Sequence, residues 1–176
     1  SIEGRFKESK RGKKMKKIIL FGIGVMTLLL VTGCETADKQ LEANLDMYGR
    51  VWHNALNNDD WTEVNEDNFD KKVTLVLQPE NIVGVQNVKD YYKNYVTGFS
   101  DRSFTIVDLF GQGDKIVKHW NFKGTHTGNF FGIPPTGRKL DLSGVTLVKM
   151  KDGKIAQEHD VFDNLSFLKQ LGLPTD

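Results

Sequence analysis

The sequence predicts an α+β fold, in which a cone-shaped, curved antiparallel sheet packs on amino-terminal helices and encloses a pocket. Three observations predict it. Apolar residues recur at helical spacing in two segments of the first half, apolar and polar residues alternate from position 103 onward, and short turn motifs separate the alternating segments. Helices followed by hairpin-connected strands are typical of an α+β domain. A curved sheet crossed by helices is a common setting for a small-ligand pocket.

Two helices are predicted before the main run of strands. In residues 41–56, apolar side chains mostly stand three or four positions apart, and the turn-forming run 57–60 ends the segment. Residues 85–99 have the same spacing, with Gly98 near the end. Between these helices, residues 61–69 are predicted to form a short helix or turn, and residues 73–77 a strand.

Four strands and a closing helix follow. Segments 104–110 and 115–122 flank the turn sequence 111–114, and segments 140–150 and 155–162 flank Lys151-Asp152-Gly153-Lys154. Gly144 is predicted to mark a bulge. The closing helix is predicted over 163–171, with Asp163 capping its N-terminus. An open sheet also has faces to cover, which favours a homodimer.

The first 33 residues are predicted to be a targeting segment. Residues 1–17 carry eight basic and two acidic side chains, and residues 18–33 form an uncharged apolar run. This run is shorter than the roughly 20 residues of a membrane-spanning helix, and the layout is that of a secretory signal peptide. Residues 30–34, Leu-Val-Thr-Gly-Cys, resemble a bacterial lipobox, in which the cysteine becomes the lipidated first residue of the mature protein.

The predicted organisation is therefore a signal peptide with its extension over 1–33, a tether over 34–40 and one domain over 41–173. A lipid such as palmitate on Cys34 anchors the protein to a bacterial membrane, and the predicted location is extracytoplasmic. An uncleaved membrane anchor and a buried core helix are the alternatives for the apolar run.

Composition and spacing exclude several classes of function. Residues 34–176 carry 16 basic and 21 acidic side chains, a net charge of −5, which is not the basic face of a nucleic-acid binder. The single cysteine excludes an intrachain disulfide and a zinc site with several thiolates. Four dispersed histidines have no metal-ligand spacing, so we expect no metal.

Residues 124–138, Gly-Thr-His-Thr-Gly-Asn-Phe-Phe-Gly-Ile-Pro-Pro-Thr-Gly-Arg, resemble the signature segment of the SnoaL-like polyketide cyclase family. The motifs 152–155, Asp160, Asp163 and 168–172 follow at that family's spacing. The resemblance covers roughly residues 40–173 and implies the cone-shaped fold of the nuclear transport factor two-like superfamily. It also implies ring closure by an intramolecular aldol condensation without metal or cofactor.

By the same resemblance, Asp160 matches the acid/base aspartate of the characterised cyclases. Thr146 stands where those cyclases have a histidine in the preceding strand. Strand side chains repeat every two residues, so Asp160 shares a face with Glu158 and Phe162. His126 lies in the signature segment and is predicted to assist Asp160 as a second acid/base.

The predicted ligand-binding residues are those expected to line the cavity: Trp52, Tyr48, Trp120, Phe122, Thr146 and Glu158. Structural roles compete with each of these assignments. Asp160 could be a solvated or salt-bridged carboxylate, His126 a structural histidine, and most of the aromatic residues plain core.

Two hypotheses about function remain open. The first is an enzyme, cyclase-like or isomerase-like, that performs general acid/base chemistry on a small apolar carbonyl compound with Asp160 as the base. The second is a non-catalytic, lipid-anchored module that binds a small apolar molecule or a peptide.

Overall fold

The computed structural model describes residues 37–175. The predicted signal peptide and the lipidation of Cys34 lie outside these residues, so both stay predictions. Within residues 37–175, no helix is long and apolar enough to cross a membrane. From Gln40 onward, the described residues form one compact unit.

Three helices and six strands make up this unit, close to the predicted order. The bounds are α1, residues 37–58; β1, Phe69–Leu75; β2, Ile82–Val83; α2, Val85–Gly98; β3, Phe99–Gln112; β4, Lys115–His126; β5, Lys139–Lys151; β6, Lys154–Phe162; and α3, Asn164–Leu171. Residues 62–68 form turns and a bend. The carboxylate of Asp163 accepts the backbone N–H of Ser166 at 2.9 Å, which confirms the predicted cap of α3.

The strands form one curved, unclosed sheet in the order β2-β1-β6-β5-β4-β3. β3 to β6 pair antiparallel through two tight turns, as predicted. The expectation of a wholly antiparallel sheet is wrong, because β1 pairs parallel to β6. No hairpin joins these two strands, so local turn chemistry does not set their relative direction. The two-residue β2 is too short for its alternation to be recognised in the sequence.

The helices cover the inner face of this sheet. Tyr48, Trp52 and Leu56 of α1 are buried against it, as are Val88 and Tyr92 of α2. Along β4, burial alternates strictly from Ile116 to His126, so the even-numbered side chains point to the helices.

The outer face exposes apolar side chains. Phe110, Leu147 and Val161 are each about half exposed. Val117 lies opposite both Phe110 on β3 and Leu147 on β5, so these side chains follow one line across the sheet. The homodimer through a sheet face stays a prediction.

Gly144 does not mark a bulge, and that prediction is wrong. It pairs in regular register with Trp120 on β4 and with Phe162 on β6, and the irregularity between β5 and β6 falls at Lys149 and Met150. A Cβ at position 144 would lie 2.4 Å from Cζ2 of Trp120. Glycine is therefore required here because the indole ring of Trp120 lies directly on the backbone.

We predict that Gly144→Ala lowers the free energy of unfolding by about 1–3 kcal/mol, because the new methyl group displaces the indole from a packed interior. Chemical denaturation followed by tryptophan fluorescence measures the change. Ser143→Ala is the matched control, since residue 143 is exposed on the outer face of the same strand. Equal stability of the Gly144→Ala variant and the wild type would contradict this packing.

Candidate functional site

A cavity lies between the helices and the inner face of the sheet. Its cavity volume is about 30 Å³, and the wider empty space of about 390 Å³ around it includes open solvent. Most of its wall is apolar and aromatic, with one lysine and one aspartate. The lining residues are Leu56, Tyr92, Tyr95, Phe104, Lys118, Trp120, Phe122, Asp160 and Phe162.

Strand register brings the polar groups of this cavity together. Lys118 on β4 pairs with Thr146 on β5, which pairs with Asp160 on β6, so the three residues form one row across the sheet. Glu158 lies two residues from Asp160 and shares its face. Because residues of one row point to the same side, this register aims all four side chains at the helices.

Both carboxylate oxygens of Asp160 accept hydrogen bonds from the protein. Tyr92 donates its hydroxyl to Oδ2 at 2.7 Å, and Thr146 donates its hydroxyl to Oδ1. Trp120 in turn donates its indole N–H to Oγ1 of Thr146 at 3.0 Å. Burial raises the pKa of Tyr92 well above its ordinary value, so its hydroxyl keeps its proton and donates. The Asp160 carboxylate is thus held in a fixed orientation at the cavity wall.

Glu158 is fully buried behind the cavity wall. Its Oε1 accepts the Tyr48 hydroxyl at 2.5 Å and the Trp52 indole N–H at 2.9 Å. Its Oε2 has no hydrogen-bond partner among the described residues. Burial raises the pKa of Glu158 to about 7, against the opposing effects of the Lys118 charge and the two hydrogen bonds. Glu158 therefore exchanges its proton near neutral pH.

Lys118 is a buried lysine among aromatic rings. Its side chain is 2% exposed, and Nζ lies 5.1, 5.2 and 5.3 Å from the ring centroids of Tyr48, Trp52 and Phe104. Burial lowers the pKa of Lys118, while the charges of Glu158 and Asp160 raise it. Within residues 37–175, its amino group has no hydrogen bond and no ion pair, and it lines the cavity, so water or a ligand in the cavity can accept from its three donors.

His126 does not line this cavity. It lies eight residues beyond Lys118 on β4, roughly 26 Å along an extended strand. Its ring stacks on Phe99, and its Nδ1 contacts the hydroxyl of Thr136 at 3.1 Å. Its backbone also bonds Arg138 and Gly137, so His126 ties residues 127–138 back to the strand. His126 lies on the predicted inner face of β4, but it is outside the cavity lining. Its assistance to Asp160 stays a prediction.

The predicted ligand-binding residues fall into two groups. Trp120 and Phe122 line the cavity. Tyr48, Trp52 and Glu158 form a hydrogen-bonded cluster behind the cavity wall. Thr146 donates its hydroxyl to the carboxylate of Asp160. Their role in binding a ligand stays a prediction.

Lys118 was not predicted as a site residue. A signal for Lys118 was present, because it shares the strand parity of Trp120 and Phe122. The alternation rule, however, treats a lysine on a strand as a solvent-facing residue. The sequence places Tyr92 and Tyr95 on an element expected to line or floor the cavity, and both line it. The bond from the Tyr92 hydroxyl to Asp160 was not predicted, because it depends on how α2 packs on β6.

No group of three or more His, Cys, Asp or Glu side chains in the described part of the chain is arranged to hold a metal ion. The ionisable lysine and carboxyl groups in the cavity lining are those of Lys118 and Asp160. The rest of the wall offers aromatic and aliphatic surface.

Comparison with known proteins identifies the family. A family model described as SnoaL-like polyketide cyclase matches residues 44–171. The chain belongs to this family. Aklanonic acid methyl ester cyclase DnrD from Streptomyces peucetius is 41% identical over 51 residues, which are 29% of this chain and 35% of that protein. The chain thus spans about a third of the length of the curated relatives it matches.

Solved structures support the same SnoaL-like fold. A candidate SnoaL-like polyketide cyclase from Jannaschia sp. CCS1 matches with a TM-score of 0.68 at 20% identity, covering 76% of this chain and 94% of that one. TsrD from Streptomyces laurentii matches with a TM-score of 0.66 at 25% identity, covering 75% of this chain and 97% of that one. The curved sheet packed on helices in this SnoaL-like domain is therefore a known fold.

The raised pKa of Glu158 predicts a pH dependence of stability. An unfolded glutamate loses its proton near pH 4.5, whereas the folded one keeps it until about pH 7. The contribution of Glu158 is therefore fully present below pH 4.5 and is lost as the pH rises through 7. We predict that this loss is about 3 kcal/mol and that Glu158→Gln removes it.

Denaturant titrations between pH 4 and pH 8 measure this difference between the wild type and the variant. Glu42→Gln, which changes an exposed glutamate on α1, is the control and should keep the wild-type pH dependence. Parallel curves for the wild type and Glu158→Gln would contradict the raised pKa.

Proposed function

We propose that this SnoaL-like domain catalyses general acid/base chemistry, cyclase-like or isomerase-like, on a small apolar carbonyl compound. The observation that carries the proposal is a single carboxylate, Asp160, held at the wall of a mostly aromatic cavity by two hydroxyl donors. A base in such a site is close to the substrate and partly shielded from water, which are the conditions that proton abstraction needs.

In the proposed reaction, Asp160 takes a proton from the carbon next to a carbonyl group. The electron pair of that C–H bond moves into the carbonyl and forms an enolate. The enolate carbon then attacks a second carbonyl of the same molecule and closes a ring, or it is reprotonated at another carbon, which isomerises the substrate. The proton held by Asp160 returns to the product in either case, so the enzyme ends as it began.

Tyr92 and Thr146 act as positioning residues in this scheme. Each donates to one oxygen of Asp160, and each oxygen keeps a further lone pair to receive the substrate's proton. The name of the relative aklanonic acid methyl ester cyclase supports ring closure as the outcome, and the aromatic wall supports a flat, apolar substrate.

The alternative is a domain that binds a small apolar molecule or a peptide without reaction. The mostly apolar lining favours it, together with the absence of a histidine at position 146, where Thr146 carries no titratable group. Binding without proton transfer distinguishes this alternative from the enzyme.

We predict that the wild type accelerates deuterium uptake at the α-carbon of 1-tetralone, an aromatic ketone, in D₂O, and that Asp160→Asn reduces this acceleration by about 10²–10⁴-fold. Proton NMR of the ketone measures the exchange. Asp163→Asn is the matched control, because asparagine caps a helix about as well as aspartate and position 163 lies outside the cavity. Equal exchange by the wild type and Asp160→Asn would contradict the proposal, and binding of the ketone without any exchange would favour the alternative.

We also propose that Cys34 carries lipid and anchors the domain to a bacterial membrane outside the cytoplasm. The support is the order of the segments: eight basic side chains, an uncharged apolar run, and then the only cysteine of the chain after Gly33. Lipid chains contribute about 0.8 kcal/mol per buried methylene, so stable anchoring takes two lipid chains or one chain with a basic patch.

We predict that the full chain, produced in bacteria with an alkyne analogue of palmitate, is labelled and found in the membrane fraction. Cys34→Ala should remove the label, because the cysteine is the acceptor, and should release the domain from membranes. Mass spectrometry of the membrane fraction provides the second measurement. An unmodified Cys34 in that fraction would contradict the proposal.

A further inference from the structure

The amino group of Lys118 is unusual because it has no protein hydrogen-bond partner among the described residues, although the residue is 2% exposed. It faces a cavity that opens to solvent, so its three donors must be satisfied by water or by a ligand there. A lysine that serves the fold alone would be expected to bond a carboxylate, and two carboxylates are near. Yet Tyr48 and Trp52 bond Oε1 of Glu158, while Tyr92 and Thr146 bond Asp160.

The aromatic rings around Lys118 stabilise its ammonium charge by cation–π contacts, which do not occupy its hydrogen-bond donors. Three ring centroids lie 5.1–5.3 Å from Nζ, within the distance at which an aromatic face attracts a cation. Lys118 also lines the cavity, so the remaining direction for its donors is toward a ligand.

We propose that Lys118 is a catalytic residue that binds and stabilises an anionic oxygen on the ligand, in the form of an enolate or a phenolate on a flat aromatic frame. This inference rests on the proposed function, because proton abstraction by Asp160 creates such an oxygen. Lys118 and Asp160 lie in one row of the sheet, separated by Thr146. A carbonyl compound lying across that row presents its acidic C–H bond to Asp160 and its oxygen to Lys118.

Charge balance supports this arrangement. Before the reaction, the row holds one positive lysine and one negative aspartate. After proton abstraction, Asp160 is neutral and the negative charge lies on the ligand oxygen, so the lysine acquires a direct partner in a cavity where charges interact strongly. The other titratable groups facing Lys118 are Glu158 and the hydroxyls of Tyr48 and Tyr92, and burial keeps both hydroxyls protonated by raising their pKa.

The test uses 4-nitrophenol, whose phenolate is an aromatic oxyanion with its own absorbance, and nitrobenzene, which has no ionisable oxygen. We expect the wild type to lower the apparent pKa of bound nitrophenol by about one unit, which is a tenfold preference for the phenolate. Lys118→Met should lose this preference while nitrobenzene binds as before. Lys115→Met, which changes an exposed lysine on the same strand, should behave like the wild type.

A second arm of the test uses Asp160→Asn. Asparagine is neutral, like Asp160 after it has accepted the substrate's proton. Phenolate binding should tighten in this variant, because a negative charge has been removed from the row.

A measurement on the wild type alone tests the inference even if Lys118→Met does not fold. The Nζ resonance of Lys118 should shift on addition of nitrophenol and should not shift on addition of nitrobenzene.

Unchanged phenolate preference in a folded Lys118→Met variant, or an Nζ resonance that ignores nitrophenol, would overturn the inference. These outcomes leave the proposed function intact if Asp160→Asn still abolishes deuterium exchange. Conversely, a phenolate preference that depends on Lys118, combined with normal exchange in Asp160→Asn, would retain the anion site and refute Asp160 as the base.

Discussion

One lysine and two carboxylates share the inner face of the sheet, with Lys118 and Asp160 at the wall of a mostly apolar cavity and Glu158 buried behind it, and this site depends on that arrangement. Isolated charges are strongly disfavoured in such surroundings, so the pKa values of Lys118 and Glu158 each respond to the charge of the other and to that of Asp160. Burial moves Glu158 and Lys118 toward their neutral forms, while their mutual attraction opposes that shift. Tyrosine and tryptophan donors stabilise the carboxylates, and aromatic faces stabilise the lysine. The pKa of Glu158 is therefore raised and the pKa of Lys118 lowered from their ordinary values.

The residue-to-residue pairing of β4, β5 and β6 brings these charged groups together. Lys118, Thr146 and Asp160 come from three neighbouring strands and meet because each pair is aligned residue to residue. A slip of one residue in any pair would send one of these side chains to the solvent face. The packing of Trp120 on Gly144 lies next to this row and favours the observed alignment, because no larger residue fits at position 144.

Local patterns predicted much of the fold and part of the site. Both tight turns, the three helices and the shared face of Glu158 and Asp160 follow from spacing and turn chemistry. The parallel pairing of β1 with β6 does not, since it joins segments that are distant in sequence. Lys118 was missed for a related reason. A buried lysine contradicts the local alternation of polar and apolar residues, and its burial is explained only by the carboxylates of a different strand. His126 lies on the predicted strand face but outside the cavity lining, because strand parity does not fix the position along the strand.

Lys118 and Asp160 share one electrostatic environment, because the Asp160 charge raises the pKa of Lys118. NMR titration of lysine Nζ or Cε resonances measures this coupling, with Lys118 assigned by its loss in Lys118→Met. The account predicts that Lys118 titrates below ordinary lysines in the wild type and lower still in Asp160→Asn, because that variant removes a negative charge that favours the ammonium form. An ordinary lysine titration that does not change in Asp160→Asn would contradict the account.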